Sequence, residues 1–354
     1  MIFLDHSASA SLLHLGEKHY DIVFDFSSSP QGGSLKRIAA YINYFSNSSI
    51  KTLFLLQPAV ADQLGSKEGV DIVKVRKNKF LRALGISEYL NFLKVKPTWL
   101  FSYGIPIYHA VAQHHWFHIS NTLPLALGSL PRSSINYYRQ AVLQRQLRKH
   151  SRLCDVVSAE SQFALTLYET INLGHPQQVV LKNGISPGAL DFANAVPVSP
   201  KYAIAVGTSD HKRIALTGAV YDALKSQLGL SKLVIIGQPS EVPADLLQRM
   251  DIELLRPMSE GQYWPLLAQA SAFISSAVIE NSSNAVLEAL TLCPLVILSD
   301  IPSHQEMVVD VDKAAFMVLG QPHFMVNNYP SRLAAPTWSD SIAVMLGKMG
   351  LPGN

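Results

Sequence analysis

The chain has 354 residues, 48% hydrophobic and only 16% charged, with 29 Lys plus Arg against 26 Asp plus Glu and a net charge of +3. Enough apolar material is present for large cores, which excludes disorder as the dominant state, and at ~100–200 residues per domain the length predicts two domains. No apolar run reaches the roughly 18 residues of a membrane span, residues 1–19 lack a basic start followed by an apolar run, and Cys154 and Cys293 are too few for a disulfide scaffold or structural zinc site.

A cytoplasmic protein is therefore expected, with so little charge that a membrane, a partner or a deep cleft suggests itself. The charge is also uneven. Before residue 179 there are 18 basic and 11 acidic residues; from there on there are 11 and 15. Halves of opposite sign suggest domains with different partners.

Short apolar runs predict buried strands at Tyr20–Phe26, Lys51–Gln57, Asp71–Arg76, Trp99–Tyr103, Trp116–Ser120 and Asp155–Ala159. The first leads into Ser27–Ser34 (SSSPQGGS), where Gly32 and Gly33 either admit a ligand close to the backbone or serve an ordinary loop. Neither G-x-G-x-x-G nor a P-loop is present. Helix-length segments such as Leu35–Phe45 separate the strands. His109, His114, His115 and His118 cluster, but with no nearby Cys and no His-Glu-x-x-His pattern a metal site is not expected.

Asn183–Pro200, rich in Pro, Gly and Asn, reads as a linker. The pattern then restarts with strands predicted at Tyr202–Val206, Lys232–Ile236, Ile252–Leu255, Ala272–Ser276 and Leu295–Ser299, and a helix such as Gly261–Ala270. The expected fold class is α/β, two doubly wound parallel-sheet domains with a hinge near residue 185. In such sheets ligands bind beyond the carboxyl ends of strands.

Two loops of the second half carry candidate chemistry. In Ala205–Arg213 (AVGTSDHKR), Gly207 permits a tight exit from the strand, and Lys212 and Arg213 stand where they either clamp a diphosphate or decorate a solvated helix start. In Ile279–Leu290 (IENSSNAVLEAL), Ser282 or Ser283 is a natural N-cap, and the helix start offers backbone N–H groups to an anion. Glu280 and Glu288 suit vicinal hydroxyls of a ribose or hexose, or are surface acids. The Asp-x-Asp of Asp310 and Asp312 comes after both halves are complete and reads as chance.

In this order the Gly-Gly loop, the hinge LKNGISP, the loop AVGTSDHKR, the Glu-x7-Glu pair, the run CPLVILSDIPSHQEM and the closing segment Pro336–Met349 resemble family 4 glycosyltransferases, from about residue 20 to the end. The resemblance implies the GT-B fold, two Rossmann-like domains facing a cleft. It implies an N-terminal acceptor domain over residues 1–185, a nucleotide-sugar domain over 186–335, and a last helix within 336–354 packing back toward the first domain. It also implies a retaining transferase that needs no metal or other cofactor.

On these positions Glu280 would hold the donor sugar and Glu288 the ribose. Backbone around Ser283, Asn284 and Ala285 would hold the diphosphate, while Lys212 and Arg213 neutralise the leaving group. Two positions depart from the family pattern. Thr208 stands where the family has Arg, and the family's His-Asp pair falls on Ser120 and Asn121, with His118 two residues earlier on the same strand face as a substitute imidazole.

Basic residues interleaved with bulky apolar ones over 74–96 and 132–152 suit an anionic membrane or a lipid diphosphate, or are solvated helices; no nucleic-acid motif accompanies them. The expected function is hexosyl transfer from a nucleotide sugar to a glycan or polyprenyl/lipid-linked acceptor in bacterial surface polysaccharide synthesis (O-antigen, capsule or lipopolysaccharide), in the cytoplasm or on the inner face of the cell membrane. The alternatives are a GT-B sugar-nucleotide epimerase or hydrolase, and a non-catalytic GT-B scaffold subunit.

Overall fold

A computed structural model describes residues 18–29, 33–75, 90, 95–129, 132, 135–172, 174–308, 314–317 and 336–353. The chain divides into two units, Met1–Gly184 with Trp338–Asn354, and Ile185–Thr337.

The first unit is built on seven parallel strands, β1 (Lys18–Asp25), β2 (Thr52–Leu56), β3 (Asp71–Lys74), β4 (Val95–Tyr103), β5 (His114–Ile119), β6 (Val156–Ala159) and β7 (Gln177–Val180), in the order β3-β2-β1-β4-β5-β6-β7. Alternation along β1 sends Ile22 and Phe24 to one face and Val23 to the other. Register then sets Phe24 beside Phe54 of β2 and Phe101 of β4, with ring centroids 4.8 and 5.4 Å apart. Helix α1 (Gly33–Phe45) lays Ile38, Tyr41, Ile42 and Phe45 on this aromatic patch. Helices α2 (Pro58–Leu64), α3 (Ile135–His150) and α4 (Gln162–Glu169) follow in the described part of the unit.

The second unit repeats the plan with six parallel strands, β8 (Tyr202–Val206), β9 (Lys232–Ile236), β10 (Ile252–Leu255), β11 (Ala272–Ser275), β12 (Val296–Ser299) and β13 (Ala314–Met317), in the order β10-β9-β8-β11-β12-β13. Its two faces carry separate cores: Ile204, Val234, Phe273 and Leu298 on one, Ala203, Ala205, Ile235 and Ile274 on the other. Its helices are α5 (Pro187–Leu190), α6 (Ile214–Leu228), α7 (Ala244–Leu247), α8 (Glu260–Ala268), α9 (Asn284–Leu292) and α10 (Pro302–Val308). The last helix, α11 (Trp338–Met349), belongs to the first unit, where Trp338, Ile342, Met345 and Leu346 are buried in the same core as α1.

Two expectations need correction. Asn183–Pro200 is not a plain linker, because Ile185 bridges Thr337, Pro187 opens α5, and Ile185 and Ala189 are buried in the second unit's core. Strands β7 (QQVV) and β13 (AAFM) escape the periodicity reading, since neither is a long apolar run and each closes an edge of its sheet. The Asp310–Asp312 pair lies outside the described residues. No helix among them is long and apolar enough to cross a membrane.

Candidate active site

In the second unit the chain runs from β8 outward to β10, then returns to the other side of β8 as β11. The carboxyl ends of β8 and β11 therefore flank the switch point, where connections diverge and a ligand can enter. Both candidate loops start there. Although 68 residues separate them in sequence, Lys212 Nζ donates to Glu280 Oε1 in a mostly buried ion pair.

The two loops are tied by main chain and hydroxyls. Gly207 leaves β8 at φ 90°, a left-handed conformation open to glycine, and a Cβ there would lie 3.3 Å from Lys212 Cε. The stem of Lys212 thus lies over a residue with no side chain. The N–H of Val278 donates to the His211 carbonyl at 2.9 Å, and the Ser276 hydroxyl lies 3.0 Å from the Lys212 and Arg213 carbonyls. Thr217 Oγ1 completes the brace, 2.5 Å from Ser276 Oγ.

Burial alone would raise the Glu280 carboxyl, but the charge and hydrogen bond of Lys212, helped by His211 and His304, hold it below its usual range. Burial pushes both imidazoles down, keeping them neutral near pH 7. These two histidines escaped the sequence reading. His304 lies within the quoted run CPLVILSDIPSHQEM, and its position just past a strand end was the signal available.

Thr208 does not do an arginine's work. It is buried, donates to Glu241 Oε2 at 2.6 Å and accepts from the Gln238 N–H at 3.0 Å, fastening the β8 loop to the β9 loop. Gly237 makes room for it, since a Cβ there would fall 2.2 Å from Thr208 Cγ2. Arg213 is exposed and sits in a left-handed conformation, φ 49°, as the residue before α6.

Ser283 is the N-cap of α9 by position, without a side-chain capping bond, and Asn284 and Ala285 form the first turn, where an α-helix leaves N–H groups without intrahelical partners. Glu288 is turned into the unit, where its Oε1 accepts from Trp264 Nε1 of α8 at 3.0 Å. The two acids of the Glu-x7-Glu pair thus have different partners: a lysine at the strand ends, an indole between helices.

In the first unit Gly32 lies outside the described residues and Gly33 starts α1. Asn121 is exposed and its side chain accepts from the Leu123 N–H, shaping a turn. His118 is fully buried, stacked on Tyr103 at 5.1 Å and bound through Nδ1 to Ser158 Oγ at 2.8 Å. Burial and the nearby Arg37 charge push it well down, so it is a neutral core imidazole and does not stand on an open face. Arg37, not anticipated, is also fully buried. It donates to Tyr41, the Leu181 carbonyl and Asn183, pairs with Glu160 at 3.5 Å and lies over the Trp338 ring. His114 stacks on Trp99 and His115 Nε2 accepts from Val111, so the histidine cluster is spread over separate tasks. Among the described residues no three His, Cys, Asp or Glu side chains gather in a way that could hold a metal.

No family model and no curated protein matches the chain in sequence. Solved structures match it in fold. WaaG, a glycosyltransferase involved in lipopolysaccharide biosynthesis, superposes with a TM-score of 0.65 at 10% identity over 93% of this chain and 90% of its own. The fold is GT-B. A glycosyltransferase from Rickettsia africae superposes at 0.59 with 15% identity over 86% of each chain. Anabaena HepE in complex with UDP-glucose does so at 0.58 with 14% identity over 86% of this chain and 87% of its own. At these identities the likeness is one of fold.

The ion pair gives the stability of this site a definite sign against pH. Glu280 in the folded chain lies below its unfolded value, so the pair stabilises above the unfolded carboxyl pKa and is lost as pH falls through the folded one. Lys212→Met removes the main influence opposing burial and raises the carboxyl, so the variant loses stability as pH rises instead. Thermal unfolding should show a deficit of roughly 3 kcal/mol near pH 7 that shrinks toward about pH 4; a deficit independent of pH would contradict the pairing.

Proposed function

We propose that the chain is a retaining glycosyltransferase that moves a hexose from a nucleoside-diphosphate donor to a glycan or lipid-linked acceptor in bacterial surface polysaccharide synthesis. The observation that carries this reading is the Lys212–Glu280 pair at the switch point of the second unit of a GT-B fold. It offers one cation and one carboxylate together, which is what a diphosphate joined to a polyhydroxyl sugar requires.

In this reading the diphosphate draws Lys212 to itself, and the first-turn N–H groups at Ser283–Ala285 take its oxygens. Charge grows on the leaving diphosphate as its bond to the anomeric carbon breaks. Lys212, with Arg213 nearby in sequence, opposes that charge, an electrostatic stabilisation that calls for no metal. Glu280, released from Lys212, holds hydroxyls of the sugar, and Glu288, steadied by Trp264, serves the ribose. Retention follows if the acceptor hydroxyl approaches from the face the diphosphate leaves.

The first unit would present the acceptor. On α3, Tyr138 and Val142 are 63% and 62% exposed, and Arg145 and Lys149 continue the same helix face. Arg139 and Arg148 add charge, and the helix has no acidic residue. Exposed apolar groups set among bases support contact with an anionic membrane carrying the acceptor.

Calorimetry with UDP, GDP, ADP and TDP should find one nucleotide that binds, with Glu288→Ala weakening it about ten-fold. Lys212→Ala should lower turnover on the order of 100-fold, and Glu280→Ala should lower turnover more than affinity. Binding of none of these nucleotides overturns the enzyme reading in favour of a scaffold, and donor turnover without acceptor points to a hydrolase or epimerase. In flotation with phosphatidylglycerol vesicles the protein should bind and the double variant R145E/K149E should not; equal binding of the two proteins contradicts the α3 contact.

A further inference from the structure

His304 has a feature that the roles above leave unused. It lies in the first turn of α10, just beyond β12, and is fully buried. Its Nδ1 lies 3.0 Å from the Ser299 carbonyl oxygen. A carbonyl only accepts, so Nδ1 carries the ring proton and Nε2 presents a bare lone pair. Among the described residues no group donates to that Nε2. A buried acceptor without a donor is costly, by about 1–3 kcal/mol, and such groups mark functional positions more often than random ones.

The ring is held beside the ion pair. Ser299, which anchors Nδ1, donates through its hydroxyl to the carbonyl of Ala277, three residues before Glu280, so the ends of β11 and β12 are locked together around it. The ring is also coupled electrostatically to both Glu280 and Lys212.

An acceptor lone pair repels phosphate oxygens, which are themselves acceptors. Among the parts of a nucleotide sugar near Glu280, the groups that can donate to it are hydroxyls of the sugar. We propose that His304 is a specificity-determining residue whose Nε2 accepts a hydrogen bond from a hydroxyl of the donor sugar. This rests on the nucleotide-sugar reading above. The route to Nε2 opens as Lys212 exchanges Glu280 for the diphosphate, so the sugar is read only when its phosphates are in place.

The test separates the sugar's share of binding from the nucleotide's. Dissociation constants are measured by calorimetry for UDP and UDP-glucose, GDP and GDP-mannose, ADP and ADP-glucose, and TDP and TDP-glucose, with the unsubstituted chain, H304N and H304Q. Asn retains a donor near the Nδ1 position to satisfy Ser299 but removes the Nε2 acceptor, whereas the longer Gln can return an acceptor there. H304N should weaken the nucleotide sugar about ten-fold relative to its own free nucleotide, with free-nucleotide affinity unchanged and H304Q restoring much of the difference. Equal effects on sugar-bearing and free nucleotide, or no effect on either, overturn the assignment of His304 while leaving the nucleotide-sugar reading in place. Failure of the unsubstituted chain to bind any of the eight overturns that reading and takes the His304 proposal with it.

Discussion

A carboxylate removed from water at the end of a parallel sheet needs a cation, and Glu280 has Lys212. Much of the second unit's ligand end follows from that need. A mostly buried acid without a partner would be neutral or destabilising. Gly207, free of a Cβ, lets the lysine stem lie flat over the strand exit. The Ser276 hydroxyl and the Val278 amide bind the β8 and β11 loops together, so the two side chains start from anchored main chain. The pair is therefore held in place by backbone, and a competing anion need only displace a side chain.

The first unit handles charge in the opposite way. Arg37 is buried among Tyr41, Asn183, Glu160 and the Leu181 carbonyl, with Trp338 of α11 across its face. These groups come from α1, from the stretches just past β6 and β7, and from the closing helix, so one guanidinium joins four segments distant in sequence. Removing it would take a donor from Asn183 and the Leu181 carbonyl and a cation from Glu160. His118 is part of the same strand-end network, 3.8 Å from Glu160. Its resemblance to a catalytic imidazole in the sequence reflects a place on β5 that the fold uses for packing.

The sheets were readable because parallel strands buried on both faces leave near-continuous apolar runs, as in YDIVFDF and KLVII. The edge strands β7 and β13 were not, since an edge can be made of short or polar segments. Gly207, Lys212 and Glu280 stood out because a glycine after a strand, a base before a helix and an acid at a strand end are local patterns. What each side chain touches is not local. Nothing near Thr208 in sequence announces Glu241, nothing near Glu288 announces Trp264, and nothing near His304 announces Ala277, which receives the hydroxyl of Ser299 beside its ring.

The central claim is that the Lys212–Glu280 pair is a resting arrangement which a nucleotide sugar divides between its diphosphate and its sugar. A crystal structure of the chain with an intact nucleotide sugar tests this most directly. The account predicts Lys212 Nζ on a phosphate oxygen, Glu280 on the sugar hydroxyls, and the bond between the two side chains broken. A nucleotide sugar bound with the pair intact and its sugar out of reach of Glu280 would contradict it.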